Sequence, residues 1–236
     1  MRTIILVLVL LSPVVALADP TCGTITTDIT ATDRSTATIA YTRPAVSNPT
    51  LVVAVTDRHP ANTVSTVTYA GVSMTKKLSL KHSTDVTASA WFYLKSPASG
   101  TNNVVVTWPS GVLASGVFIA TCADTHSDAD PFRNAGVSAE NTGTAVSVTA
   151  TDSSGDVTLD AMSIDSNSVA PTVGANQTSL FAAAAGSEMA MGVSQQSGGL
   201  GGVMSWTANS SNGWVTTAVP LRQFPTTSFL YRRRFQ

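Results

Sequence analysis

The chain has 236 residues and a formal net charge of −1; 11% of its residues are charged and 43% are hydrophobic. Globular proteins carry about 25% charged residues, and here Thr, Ser, Ala, Val and Gly take their place. The regular apolar pattern excludes a disordered chain. Residues 19–221 hold 14 acidic and 8 basic side chains. This acidic body excludes a nucleic-acid partner, which would require a basic face.

The first 18 residues have the pattern of a secretory signal peptide. Arg2 supplies a positive charge, residues 4–11 form an unbroken apolar run, and Ala16 and Ala18 are the small residues of a cleavage site. The run is too short to span a bilayer. We predict that residues 1–18 are removed. The mature protein is then secreted or attached to the cell surface, without a transmembrane segment.

Cys22 and Cys122 are the two cysteines of the chain. Export favours oxidation, and a disulfide between them would close a loop of about 100 residues, worth about 4 kcal/mol on the chain-entropy estimate. Isolated cysteines are also common in apolar cores. The sequence therefore leaves two alternatives open, one disulfide or two separate thiols.

From residue 24 onward, apolar and polar residues alternate with the period of two that is typical of strands. This alternation is clearest at residues 36–42, 86–95, 157–161 and 188–193. Apolar runs that predict strands buried on both faces lie at residues 51–55, 104–106 and 116–120. Turns rich in Pro and Gly separate the segments, and the pattern predicts about 13–15 strands.

We therefore predict an all-β protein, a two-sheet antiparallel β-sandwich of jelly-roll or concanavalin-like type. No long linker divides residues 19–222, so a single domain is favoured over two small sandwiches. No repeat of roughly 20–50 residues is evident. Residues 223–236 form a basic C-terminal extension, which we expect to be flexible.

Several core and turn segments follow one another in a characteristic order. They lie at residues 67–75, 91–94, 97–101, 104–106, 204–206 and 214–221. In order and spacing, residues 30–222 resemble largely uncharacterised bacterial secreted β-sandwich modules of extracellular and surface proteins. The resemblance implies the fold and export but no activity. Those modules have Val-Asp-Gln and a Pro after the central strand, whereas this chain has Ala-Asp-Thr-His at 123–126, so no binding role is carried over to that loop.

The best candidate metal site is the acidic segment at residues 124–130. Carboxylates at alternate positions of a loop can wrap Ca²⁺, and Asp124, Asp128 and Asp130 would be the ligands. The segment lacks the Gly and the downstream Glu of the twelve-residue calcium loop. A Ca²⁺ site and a solvated acidic loop are therefore both open.

Trp91 and Tyr93 are the best candidates for a ligand-binding surface. They lie on one face of a predicted strand, opposite Phe92 and Leu94. If that face is exposed, the two rings would form a platform on which sugar rings can stack. The alternative is that both rings belong to the core.

Catalytic motifs are not evident. His59, His82 and His126 are scattered and form no paired metal motif, and the chain has no Gly-x-Ser-x-Gly elbow. A triad assembled across the fold from Asp57, His59 and a serine is a weaker alternative. We expect the protein not to be an enzyme.

The preferred hypothesis is a non-enzymatic secreted or cell-surface module for binding or adhesion, with glycans or envelope components as partners. The alternative is a structural subunit that self-associates into an extracellular fibre or coat through its edge strands. A secreted hydrolase is the weakest of the three.

Overall fold

The computed structural model describes residues 19–60, 64, 66–199 and 201–225. The predicted signal peptide and residues 226–236 of the basic extension lie outside this range. No helix in the described ranges is long and apolar enough to cross a membrane. The strands are β1 (Thr21–Thr30), β2 (Arg34–Arg43), β3 (Thr50–Arg58), β4 (Thr66–Tyr69), β5 (Val72–Ser73), β6 (Thr75–Lys81), β7 (Thr87–Lys95), β8 (Gly100–Val112), β9 (Ala114–Ala123), β10 (Val137–Thr149), β11 (Val157–Asp165), β12 (Thr172–Val173), β13 (Thr178–Ala185), β14 (Met189–Ser197) and β15 (Val203–Leu221).

The prediction of an all-β antiparallel sandwich is confirmed. Over the described residues the strands form three hydrogen-bonded sheets, where the sequence led us to expect two. The outer sheet has the order β2-β8-β4-β5, and the central sheet has the order β1-β9-β3-β7-β6. The second large sheet has the order β10-β15-β11-β14-β13, with β12 paired to β15. The finer assignment to a jelly-roll or concanavalin-like topology stays a prediction.

The central sheet is buried on both faces. Every side chain at positions 50–57 of β3 is buried, as its apolar run predicted. Val53 and Phe92 pack against the outer sheet, whereas Val52 and Phe118 pack against the second large sheet. A strand that is apolar on both faces requires a partner on each side, and this requirement accounts for the third layer.

The second large sheet is also covered on its outer face. The last part of β15 pairs with β11 inside this sheet. Residues 203–207 of the same strand pair with the end of β10 and lie over the outer face of the sheet. Trp206 packs there against Gly192, where an added Cβ would lie 2.8 Å from the indole ring. The Trp206 indole donates a hydrogen bond to Asp160 Oδ2 at 2.7 Å. Gly192 is therefore required by the close approach of the ring.

The two halves of the chain share one pattern of strand pairing. In the first half β9, β3, β7 and β6 lie side by side, as β15, β11, β14 and β13 do in the second half. β4 pairs with β8 as β12 pairs with β15. β1 and β2 together correspond to β10, which pairs with both parts of β15. The described chain is therefore an internal repeat of two similar halves, whose large sheets pack face to face over one core.

A bulge confirms this correspondence at the level of single residues. The register of β6 against β7 shifts between Lys76 and Leu78, and that of β13 against β14 shifts between Ser179 and Phe181. Each shift lies two to three residues into an edge strand. Because the irregularity lies at the same place in both halves, Thr75 corresponds to Thr178 and Tyr93 corresponds to Gln195.

Candidate functional site

Trp91 and Tyr93, which the sequence suggested as an exposed platform, are buried. Their exposed fractions are 0% and 7%. The Trp91 indole donates to the backbone oxygen of Thr217 in the facing sheet at 3.2 Å. β7 lies inside the sandwich, so the face that carries both rings is covered by the second half of the chain. The hypothesis that these two residues form a sugar-stacking surface is wrong.

The structure does not gather the three aspartates proposed for Ca²⁺. Asp128 Oδ2 pairs with Arg222 at 2.9 Å, and Asp130 Oδ2 pairs with Lys77 at 2.7 Å. Within the ranges that the structure describes, no group of three or more His, Cys, Asp or Glu side chains could hold a metal ion. Ca²⁺ binding by Asp124, Asp128 and Asp130 stays a prediction, to which the two ion pairs lend no support.

Cys22 and Cys122 are joined by a disulfide bond. The bond links the edge strand β1 to β9, and the two cysteines face each other in the ladder. The register of β1 shifts between Gly23 and Thr26, so residues 21–23 form a short separate stretch of pairing. The disulfide fixes this stretch to the body of the sandwich.

A pocket of about 420 Å³ opens beside this stretch, and we call it the Gln195 pocket. The start of the described chain forms one wall, the turn before β13 forms another, and the ends of β11 and β14 complete it. Its lining residues are Asp19, Pro20, Thr21, Val157, Asn176, Thr178, Gln195, Gln196 and Ser197. The pocket therefore lies at the end of the interface between the two large sheets.

Amides and hydroxyls dominate the lining of this pocket. Gln195 has the orientation of Val193 on β14, toward the facing sheet, because side chains alternate along a strand. The Oε1 atoms of Gln195 and Gln196 are buried and accept no hydrogen bond from the described part of the chain. A buried acceptor without a partner costs about 1–3 kcal/mol. A ligand that donates hydrogen bonds removes this cost when the amide turns toward it.

The turn before β13 is held in place by Gln177. Its Nε2 donates to Ser194 Oγ at 2.6 Å, and its Oε1 accepts from the backbone N–H of Ser205 at 2.7 Å. Asn176 beside it has a φ of 62°, in the left-handed region that Asn tolerates better than most residues. These contacts within the chain hold Asn176 and Thr178 at the pocket and do not depend on a ligand.

The first half of the chain has an equivalent position, which its own side chains close. Tyr93 faces Thr75 in the ladder as Gln195 faces Thr178, so Tyr93 and Gln195 correspond. The ring of Phe132 covers Tyr93 edge to face, with the ring centroids 5.2 Å apart. Where the first half has two aromatic rings in edge-to-face contact, the second half has a glutamine and a cavity.

The residue that corresponds to Phe132 is Cys22. Phe132 forms a β-bridge with Leu221, and Cys22 pairs with Cys122. Leu221 and Cys122 correspond, because they face the first residues of β11 and β3 respectively. Phe132 fills the space beside Tyr93. Its counterpart Cys22 is smaller and is held in a disulfide bond, so the space beside Gln195 stays open.

The hydrolase alternative depends on Asp57, His59 and a serine. Ser110 Oγ lies 3.3 Å from His59 Nε2. Asp57 is buried, its Oδ2 accepts from the indole N–H of Trp108 at 3.1 Å, and burial raises its pKa to about 7. An aspartate in a triad is ionised and orients the histidine, whereas Asp57 has a raised pKa, bonds Trp108 through Oδ2, and has no partner on Oδ1 in the described chain. The structure therefore lends this triad no support.

No protein-family model, curated protein or solved structure matches this chain. The resemblance to secreted bacterial modules therefore stays a prediction. Sequence reasoning missed the Gln195 pocket because its residues come from four separated segments. One signal was available: Gln195 continues the inward-facing positions of an apolar strand, where a long polar side chain needs a partner.

Proposed function

We propose that this protein is a non-enzymatic, secreted or cell-surface binding module whose Gln195 pocket takes hydroxyl-rich ligands, the glycans of extracellular or envelope material. The observation that carries the proposal is the cavity of about 420 Å³ that Gln195 lines, together with the buried Oε1 of this side chain, which has no partner in the described chain. This volume is within the range of small-molecule sites, roughly 300–1,000 Å³. Sugar hydroxyls both donate and accept hydrogen bonds, as side-chain amides do.

The charge and rigidity of the pocket support the same class of ligand. None of its described lining residues is Lys, Arg or His, and the carboxylate of Asp19 offsets the α-ammonium group that cleavage before this residue would create, so the lining offers an anionic ligand no net positive charge. Pro20 and Val157 add small apolar areas, which suit the C–H faces of a sugar ring. The turn anchored by Gln177 is already in place, and a preformed wall lowers the entropy cost of binding.

The test is a glycan array probed with residues 19–236, followed by calorimetry with the best ligand. Gln195→Ala removes one neutral hydrogen-bonding group, and we expect affinity to fall about 3- to 10-fold, the effect of about 1 kcal/mol. Asn103→Ala, which removes an exposed amide on β8 of the outer sheet, should leave affinity unchanged. An array without a signal, or equal affinity of Gln195→Ala and the wild type, contradicts the proposal.

Self-association into a fibre or coat is the second candidate, and the edge strand β13 favours it. The corresponding edge strand β6 carries Lys76, Lys77 and Lys81, whereas β13 carries no charged residue. Charged residues on an edge strand prevent pairing with another chain. An uncharged edge is open to such pairing, and the oligomeric state of the mature protein distinguishes this candidate from a monomeric binding module.

A further inference from the structure

We infer that the Gln195 pocket receives a single neutral pyranose ring at the end of a glycan chain. This inference rests on the proposed function and specifies its ligand. Its starting point is the internal repeat. At the equivalent position of the first half, the space is occupied by one six-membered ring of this chain, that of Phe132. The strands that enclose the two positions have the same pairing, so each position has room for one ring.

The chemistry of the two positions differs. In the first half the Phe132 ring meets Tyr93, and Lys77 Nζ lies 5.2 Å from the ring centroid. The residues that correspond to Tyr93 and Lys77 in the second half are Gln195 and Leu180. An aromatic ring suits Tyr93 and Lys77 as neighbours. A ring that carries hydroxyl groups suits the second half, because each hydroxyl can donate to or accept from a side-chain amide.

The lining of the pocket indicates which part of a glycan enters it. Four separated segments line the pocket: residues 19–21, Val157 of β11, Asn176 with Thr178, and residues 195–197 of β14. An internal sugar of a long chain would need two exits, one for each glycosidic bond. The terminal sugar needs one. A pocket lined by four segments of the chain therefore fits a chain end better than an internal segment of a glycan.

The charge of the ring follows from the same lining. In the first half, Lys95 donates from its Nζ to Thr125 Oγ1 and to the backbone oxygen of His126. Ser197 corresponds to Lys95, since each lies two residues after Tyr93 or Gln195. A hydroxyl thus replaces an ammonium group at the pocket. Neutral sugars are expected to bind in preference to uronic acids or sulfated sugars.

The experiment uses ¹⁵N-labelled residues 19–236 and the methyl pyranosides of glucose, galactose, mannose and N-acetylglucosamine. We expect at least one of them to shift the amide resonances of Thr178 and Gln195 with saturation in the millimolar range. Gln195→Tyr reproduces Tyr93 of the first half, replaces the amide by a larger aromatic ring and should abolish these shifts. If this variant does not fold, Ser197→Lys, which restores the other counterpart, serves the same purpose.

The outcomes separate this inference from the proposed function. If oligosaccharides shift these resonances and no methyl pyranoside does, the single-ring inference is overturned and the proposed function stands. If no sugar of either kind shifts them, both are overturned. Shifts that persist unchanged in the Gln195→Tyr or Ser197→Lys variant also overturn the inference, because the ring would then bind elsewhere.

Discussion

Asp160 shows how one buried side chain ties stability to pH. It lies between the layers of the second half, where it accepts hydrogen bonds from the backbone N–H and Oγ of Ser194 and from the indole of Trp206. Burial raises its pKa to about 7, although these donors act in the opposite direction. As pH rises, the unfolded state, in which the pKa of Asp160 is near 3.8, therefore releases its proton at a much lower pH than the folded state does.

The expected result is a loss of stability as pH rises. The favourable contribution of the protonated Asp160 is complete below about pH 4 and is lost as pH rises through about 7. Asp160→Asn cannot ionise. The substitution should lower the free energy of unfolding by about 1–3 kcal/mol at low pH, because one of the hydrogen-bond donors around residue 160 would face the NH₂ group of the new amide. This difference from the wild type should shrink toward about pH 8. Urea unfolding at several pH values measures it, with the exposed Asp33→Asn as the control. A pH-independent deficit would contradict the assignment.

At the scale of the element, β1 depends on its disulfide. Residues 21–23 are paired with β9 over only three positions before the register shift. The Cys22→Ser/Cys122→Ser double variant should therefore let residues 19–24 exchange their amide hydrogens faster. The global free energy of unfolding should also fall, by about 4 kcal/mol on the chain-entropy estimate. Hydrogen exchange measured by mass spectrometry tests both, with the buried strand β3 as the internal reference under native conditions.

Two results of this experiment would be informative in opposite ways. Exchange at residues 19–24 that accelerates under conditions where β3 still reports only the lower global stability would mean that the bond holds one wall of the Gln195 pocket. Unchanged exchange at residues 19–24 would mean that the ladder alone holds it, and the role assigned to the disulfide would be wrong.

The strands β3 and β7 show what local sequence can predict. The continuous apolar run of β3 predicted burial on both faces, and the structure confirms it. β7 has Trp91 and Tyr93 on one face and Phe92 on the other, and the sequence left one face open to solvent. Alternation tells which side chains share a face. It does not tell what covers that face, and here the second half of the chain covers it.

At the scale of the whole molecule, the internal repeat was not predicted. The halves share strand order, register and one bulge, but corresponding positions carry different residues, such as Tyr93 and Gln195 or Lys77 and Leu180. A pattern held in the backbone pairing leaves little trace in the sequence. The Gln195 pocket arises where the halves differ, and its lining comes from four separated segments, so the linear sequence does not show its position.

The same difference between the halves gives a prediction about assembly. Ser179 on β13 corresponds to Lys76 on β6, because both come just before the shared bulge. Ser179→Lys restores the missing charge on an exposed edge position. If the mature protein self-associates through β13, this variant should shift it to the monomer, because a lysine on the edge opposes pairing with another chain.

Light scattering coupled to size exclusion measures this shift over a range of concentrations. Thr38→Lys, which adds the same charge at an exposed position of the edge strand β2, is the matched control and should leave the mass unchanged. Equal oligomers in the wild type and the Ser179→Lys variant would place the contact elsewhere. A wild type that is monomeric at every concentration would remove the fibre or coat alternative and leave ligand binding as the role of the molecule.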